Sequence, residues 1–122
     1  DDTHFECLGY RSDIYALLQK YDFMMLFSGH EGLPISLIEA NMLGVPAICS
    51  DVGGNCEIVE NGSNGFVINK DDWKQLVNTL NSLPDISVKT YQEMSSISRK
   101  RYLKYFTFEI FKKHYLELLN KL

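Results

Sequence analysis

The stretch Ser28-Gly-His-Glu31-Gly-Leu-Pro-Ile-Ser-Leu-Ile-Glu39-Ala-Asn-Met-Leu-Gly-Val-Pro46 organises this chain. It follows the apolar run Phe23-Met-Met-Leu-Phe27, short enough for a buried strand. Gly29 and Gly32 bracket His30 and Glu31 and predict a loop over 28–33. Pro34 suits the first position of a helix, where a missing N–H costs nothing. The helix is expected to run from Ile35 to Leu43, with Ile35, Ile38 and Met42 stacked on one face. Gly44 fits a left-handed stop, and Pro46 keeps the helix from resuming. The unit is a strand, a glycine loop and a helix N-terminus.

The first N–H groups of a helix lack intrahelical partners and carry partial positive charge, so a helix start suits an anion. Here those donors begin at Ile35, and Ser36 adds a hydroxyl. Glu31 lies in the loop and Glu39 about one turn into the helix. Carboxylates repel phosphate, so hydroxyl groups are their expected targets. A nucleotide sugar combines phosphate with polyols and would satisfy both. Glu39 also stands in a nearly all-apolar helix, which is expected to be largely buried, and a buried carboxylate needs a partner.

The series Glu31-Gly-Leu-Pro-x-x-x-x-Glu39-Ala resembles the paired-glutamate signature of the glycosyltransferase group 1 family, retaining enzymes of GT-B architecture that use nucleotide-sugar donors. The likeness continues through Gly44-Val45-Pro46, Ser50-Asp51-Val52-Gly53-Gly54, Glu57 and Asn61-Gly62-Ser63-Asn64-Gly65-Phe66, and covers about residues 5–80. It implies an α/β fold, an open parallel sheet flanked by helices (Rossmann-like), forming part of the C-terminal, donor-binding lobe. Glu31 resembles the family glutamate near the transferred sugar and is the catalytic candidate. Glu39 resembles the glutamate that binds the ribose hydroxyls. Gly32, Leu33 and Pro34, with Ile35, Ser36 and Leu37 at the helix start, match the donor-binding positions. Gly9 and Tyr10 match a loop that meets the nucleotide base, largely through backbone. The implied reaction moves a sugar from a nucleoside-diphosphate sugar to a saccharide or lipid-linked acceptor, without a metal or other cofactor. A nucleotide-sugar epimerase, or a nucleotide-binding regulatory module of the same fold, is the alternative.

The 122 residues amount to one domain, with 45% hydrophobic and 23% charged residues, ordinary for a globular chain. Cys7, Cys49 and Cys56 have no Cys-x-x-Cys spacing, which favours a reducing cytoplasm and free thiols. The net charge of −4 hides an asymmetry: residues 1–69 carry only Arg11 and Lys20 as cations against ten carboxylates. A helix terminus contributes about 0.3–1 kcal/mol per favourable surface charge, too little to neutralise a diphosphate. The resemblance explains the deficit. It implies that an acceptor lobe and the first part of the donor lobe precede Asp1 and supply the gripping cations, so that these residues alone are expected to be inactive. The acidic front half argues against nucleic acid as a partner.

Strands are expected at Phe5–Leu8, Phe23–Phe27, Val45–Cys49 and Phe66–Ile68. The loops after the first three, at 9–13, 28–34 and 50–54, would then share the ligand-binding edge of the sheet. Ser12 or Asp13 is expected to cap a helix through Ile14, Leu17, Leu18 and Tyr21. Asp71 or Asp72 caps one from Trp73 to Leu80, and Thr107 a last one bearing Phe108, Phe111, Tyr115 and Leu122. Arg11 and His30 read as solvated loop side chains. Arg99, Lys100, Arg101 and Lys104 read as a solvated basic face, with contact to an anionic membrane surface the sharper alternative. Residues 107–122 are expected to pack on the preceding lobe, and in its absence to drive self-association.

Overall fold

Short apolar runs separated by turn residues build the sheet. The computed structural model describes residues 4–122. β1 (Met24–Leu26), β2 (Ala47–Ser50) and β3 (Gly65–Ile68) form a parallel three-stranded sheet in the order β1-β2-β3. Met24 lies opposite Ala47, and Ala47 opposite Gly65. Central β2 is buried along its whole length. Its side chains alternate between two apolar layers, as the period of a strand requires. Ala47 and Cys49 join Leu37, Ile58 and Val59 on one face. Ile48 joins Ile68 and Leu76 on the other, with Phe23, Phe27 and Phe66 packed around them.

Helices α1 (Ile14–Leu18), α2 (Ile35–Met42), α3 (Asn55–Ile58), α4 (Trp73–Ser82), α5 (Val88–Arg101) and α6 (Phe108–Leu119) complete the chain. The expected caps on the later helices form: Asp72 accepts from the Gln75 N–H at 2.8 Å, and Thr107 from the Ile110 N–H at 3.4 Å. Asp13 flanks α1 without capping it, because its carboxylate is engaged by Arg11 at 2.7 Å. Arg11 is therefore paired, not merely solvated. The pairing lowers the Asp13 carboxyl below its ordinary range, chiefly by the hydrogen bond from Arg11. Between α5 and α6, residues Tyr102–Phe106 wind as a single π-helical segment that ends at Thr107.

The structure corrects the sequence reading at Phe5–Leu8 and at Pro34, and it shows which side of α2 is buried. Phe5–Leu8 forms no strand: it joins no ladder, and Phe5 is 88% exposed. A strand is defined by its pairing, and this run has no neighbour to pair with, so among the described residues the sheet has three strands where four were expected. Pro34 is the N-cap of α2 rather than its first residue. Its extended backbone turns its carbonyl toward the Leu37 and Ile38 N–H groups. The core side of α2 is Leu37, Ala40 and Asn41, whereas Ile35 is 70% exposed and Ile38 and Met42 are half-buried. An almost uniformly apolar helix has no polar face to orient it, so sheet contacts and not periodicity choose the buried side.

Gly44 ends α2 as expected. Its φ of +72° is the left-handed conformation, with the Gly44 N–H donating to Asn41 O and the Val45 N–H to Ala40 O. A side chain at Gly44 would also meet Ser95 Oγ at 3.1 Å, so the same position admits the close approach of α5.

Candidate functional site

Two loops leave the carboxyl ends of β1 and β2 and lie against each other. The Ser28 N–H donates to Ser50 Oγ at 3.0 Å, and the Ser50 hydroxyl donates back to Ser28 O at 2.7 Å. Buried Asn55 donates to Ser50 O at 2.8 Å and holds the second loop from behind. Gly53 has φ +51°, and a Cβ there would lie 1.8 Å from the Glu31 carbonyl oxygen. At Gly54 a Cβ would meet Gly32 O at 2.6 Å, while the Gly54 N–H donates to that same oxygen. The Gly53-Gly54 pair thus lets one loop support the other.

Glu31 sits half-buried on this supported backbone and accepts from the Ser28 hydroxyl at 2.8 Å. Gly32 and Leu33 follow as an exposed bend, and Pro34 opens α2. Leu37 already donates its N–H to Pro34 O at 3.2 Å, and its side chain is in the core. The N–H groups of Ile35 and Ser36 have no backbone acceptor among the described residues, so the free donors of α2 are these two.

Glu39 is half-buried on α2 and accepts from the Tyr15 hydroxyl at 3.1 Å. The carboxylate keeps the phenol protonated and raises its pKa, first through the hydrogen bond and then through charge. Beside them opens a groove of about 830 Å³ between α2 and the α5–α6 junction, walled by Ile35, Ile38, Met42, Phe108 and Phe111. Glu39 stands at an open groove and not in an apolar interior, which is why a single neutral hydroxyl suffices as its partner.

The structure brings together Glu31, Gly32, Leu33, Pro34, Ile35, Ser36 and Glu39 along one loop and one helix start. No hydrogen bond among the described residues links Gly9 or Tyr10 to them. Gly9 turns at φ +61°, and Tyr10 is 97% exposed. With Phe5–Leu8 outside the sheet, the loop over 9–13 does not follow one of its strands. His30 is exposed, its Nδ1 3.1 Å from Gly29 O. Among the described residues no three His, Cys, Asp or Glu side chains gather into a metal-ligating group, and no helix is long and apolar enough to cross a membrane. Cys49 is pushed up to about 12 by burial, and Cys56 to about 11 by its hydrogen bond to Asp51, so both remain thiols at neutral pH.

Tyr15, Ser28 and Ser50 escaped the sequence reading. Ser28 lies three residues before Glu31, a spacing that signals a turn hydrogen bond, whereas Tyr15 is 24 residues from Glu39 and no local signal links them. The basic cluster also changes meaning. Arg99 donates to Met42 O at the end of α2. Arg101 donates to Glu57 O at 2.8 Å and Ile58 O at 3.2 Å at the end of α3. Both guanidinium groups satisfy helix C-terminal carbonyls, where a cation is electrostatically favoured.

The chain matches the family model described as "Glycosyl transferases group 1" over residues 2–101. An Escherichia coli UDP-Gal:alpha-D-GlcNAc-diphosphoundecaprenol alpha-1,3-galactosyltransferase is 37% identical over 81 residues, 66% of this chain and 21% of its own. A Campylobacter jejuni N,N'-diacetylbacillosaminyl-diphospho-undecaprenol alpha-1,3-N-acetylgalactosaminyltransferase is 42% identical over 59 residues, 48% of this chain and 16% of its own. Anabaena Alr3699/HepE in complex with UDP superposes with a TM-score of 0.85 at 28% identity, over 94% of this chain and 32% of that one. The chain therefore spans about a fifth of the first of these relatives. With the family match running from residue 2 to residue 101, the chain belongs to the group 1 glycosyl transferases, and its helix-flanked parallel sheet is part of their GT-B architecture.

Proposed function

We propose that residues 1–122 form part of the C-terminal, nucleotide-sugar-binding lobe of a retaining, metal-independent hexosyltransferase. It moves a sugar from a nucleoside-diphosphate sugar to a saccharide or lipid-linked acceptor, at the cytoplasmic face of a membrane. The carrying observation is that Glu31 and Glu39 flank a helix start whose first two N–H groups are free. In this reading the N–H groups of Ile35 and Ser36 meet the donor phosphate. Glu39 accepts from the ribose hydroxyls. Glu31, oriented by Ser28, holds hydroxyls of the transferred sugar and stabilises positive charge developing at its anomeric carbon. The diphosphoundecaprenol acceptors in the names of two relatives support a lipid-linked acceptor, and the UDP complex of HepE supports a nucleoside-diphosphate donor. The cations that neutralise the leaving diphosphate come from another part of the protein, so the 122 residues alone do not transfer sugar. Residues 107–122 pack on the acceptor lobe.

The division of roles is tested in the protein expressed from its complete gene. Glu39→Ala should weaken nucleoside-diphosphate binding by about 1–3 kcal/mol, the scale of a lost hydrogen bond to a charged group. Glu31→Ala should lower turnover more than it lowers that affinity. Equal losses of diphosphate affinity in calorimetric titrations of the two variants would overturn the assignment.

A further inference from the structure

Tyr15 is the one side chain from α1 that reaches the candidate site, and the core does not account for its place. No residue of α1 is buried, and the Tyr15 ring is 51% exposed. Its hydroxyl nevertheless lies 3.1 Å from Glu39 Oε1, across 24 residues of sequence. Glu39 has no ion-pair partner among the described residues, and its other oxygen, Oε2, has no hydrogen bond there. A carboxylate is an acceptor only, with lone pairs on both oxygens. One oxygen is therefore held by a neutral donor while the other is left without one, on a residue that lines the open groove beside α2.

We propose that Tyr15 is a positioning residue for nucleotide binding: by holding Glu39 Oε1 it presents Oε2 to the ribose hydroxyls of the donor. This rests on the role given to Glu39 above. A glutamate on a helix surface samples several rotamers, and a ligand that requires one of them must bear the cost of fixing it. A phenol anchored on a second element removes part of that cost before the ligand arrives. The donor is neutral, so it orients the carboxylate without cancelling the charge that attracts hydroxyl protons.

The test uses the complete protein and Tyr15→Phe, which keeps the ring and removes only the hydroxyl. UDP, GDP and ADP are titrated first, and the tightest binder is carried forward with its 2′,3′-dideoxy analogue. Tyr15→Phe should weaken the ribonucleotide by about three- to tenfold, the scale of one net hydrogen bond. It should leave the dideoxy analogue unchanged, and it should add nothing in a Glu39→Ala background. Equal weakening of both nucleotides would mean that Tyr15 acts through the fold, and would overturn the proposal. So would a wild-type affinity in Tyr15→Phe when Glu39→Ala weakens binding. If no nucleoside diphosphate binds, or Glu39→Ala binds like wild type, the role of Glu39 itself fails and this inference falls with it.

Discussion

The loop pair at the end of β1 and β2 and the helix α6 occupy opposite extremes of constraint. Between Ser28 and Gly54 the backbone is fixed by reciprocal serine bonds, by the Gly54–Gly32 bond and by a glycine so close to Glu31 that no side chain fits. Along α6 every residue except Ile110 is exposed, and Phe108, Phe111 and Tyr115 contact one another rather than a core. Both segments are rich in residues that invite a functional reading. Only the first has surroundings that determine where its side chains go. Precision in this molecule comes from small residues that permit backbone contact, and not from the bulk of apolar side chains.

Breaking the constrained side should have the largest effect. Gly53→Ala imposes a left-handed conformation on a residue with a Cβ and drives that carbon into the Glu31 carbonyl. The expected loss is about 2–5 kcal/mol of stability, from backbone strain plus overpacking. Nucleotide binding should fall with it. Denaturant titration of Gly53→Ala beside Gly62→Ala is the check, since Gly62 has a similar φ of +76° with open space around it. Equal losses in the two would show that the loop contact contributes nothing beyond strain.

An intermediate effect is expected at Arg101, whose guanidinium joins α5 to the end of α3. Arg101→Met keeps much of the stem and should cost about 1–3 kcal/mol, because carbonyls of Glu57 and Ile58 lose a charged donor. Lys100→Met, one residue away on the exposed face, should be neutral by the same thermal melt. A matching loss at Lys100 would return the basic cluster to a role in general electrostatics.

The smallest effect belongs to α6. In the 122-residue chain alone, Phe111→Ser should change stability by no more than about 0.5 kcal/mol, as expected for a surface site, since Phe111 is 62% exposed. Light scattering at high concentration should nonetheless fall toward the monomer value. A large loss of stability would show that α6 is already held by the rest of the chain, and the contrast between the two regions would disappear.

Which parts were legible follows from the same contrast. The stretch from Ser28 to Pro46 punctuates itself, with Gly29, Gly32, Pro34, Gly44 and Pro46 each restricting the backbone locally. Strand, loop, helix and stop were therefore readable there. Phe5–Leu8 carried apolar character without a partner strand, and sequence alone does not say whether a neighbour exists. The buried face of α2 was not legible, because Ile35, Ile38 and Met42 satisfy helical spacing as well as Leu37, Ala40 and Asn41 do. The buried amide network shows the limit most plainly. Asn41 donates to Ile58 O at 3.0 Å and accepts from Asn64 at 3.2 Å, although Asn64 reads in sequence as an ordinary turn residue. Of the site itself, the two glutamates and the helix start were visible, while the hydroxyls that aim the glutamates were not.

The order of the strands has a consequence for how the chain assembles in time. β1, β2 and β3 are neighbours in sequence as in space, so each pairing closes a single crossover and never waits for a distant strand. Closure entropy grows slowly with loop length, so the two crossovers cost similar entropy. The Arg101–Glu57 bond spans 44 residues and joins surfaces that exist only once α3 has formed. The clasp therefore joins what the short-range pairings of the sheet leave apart.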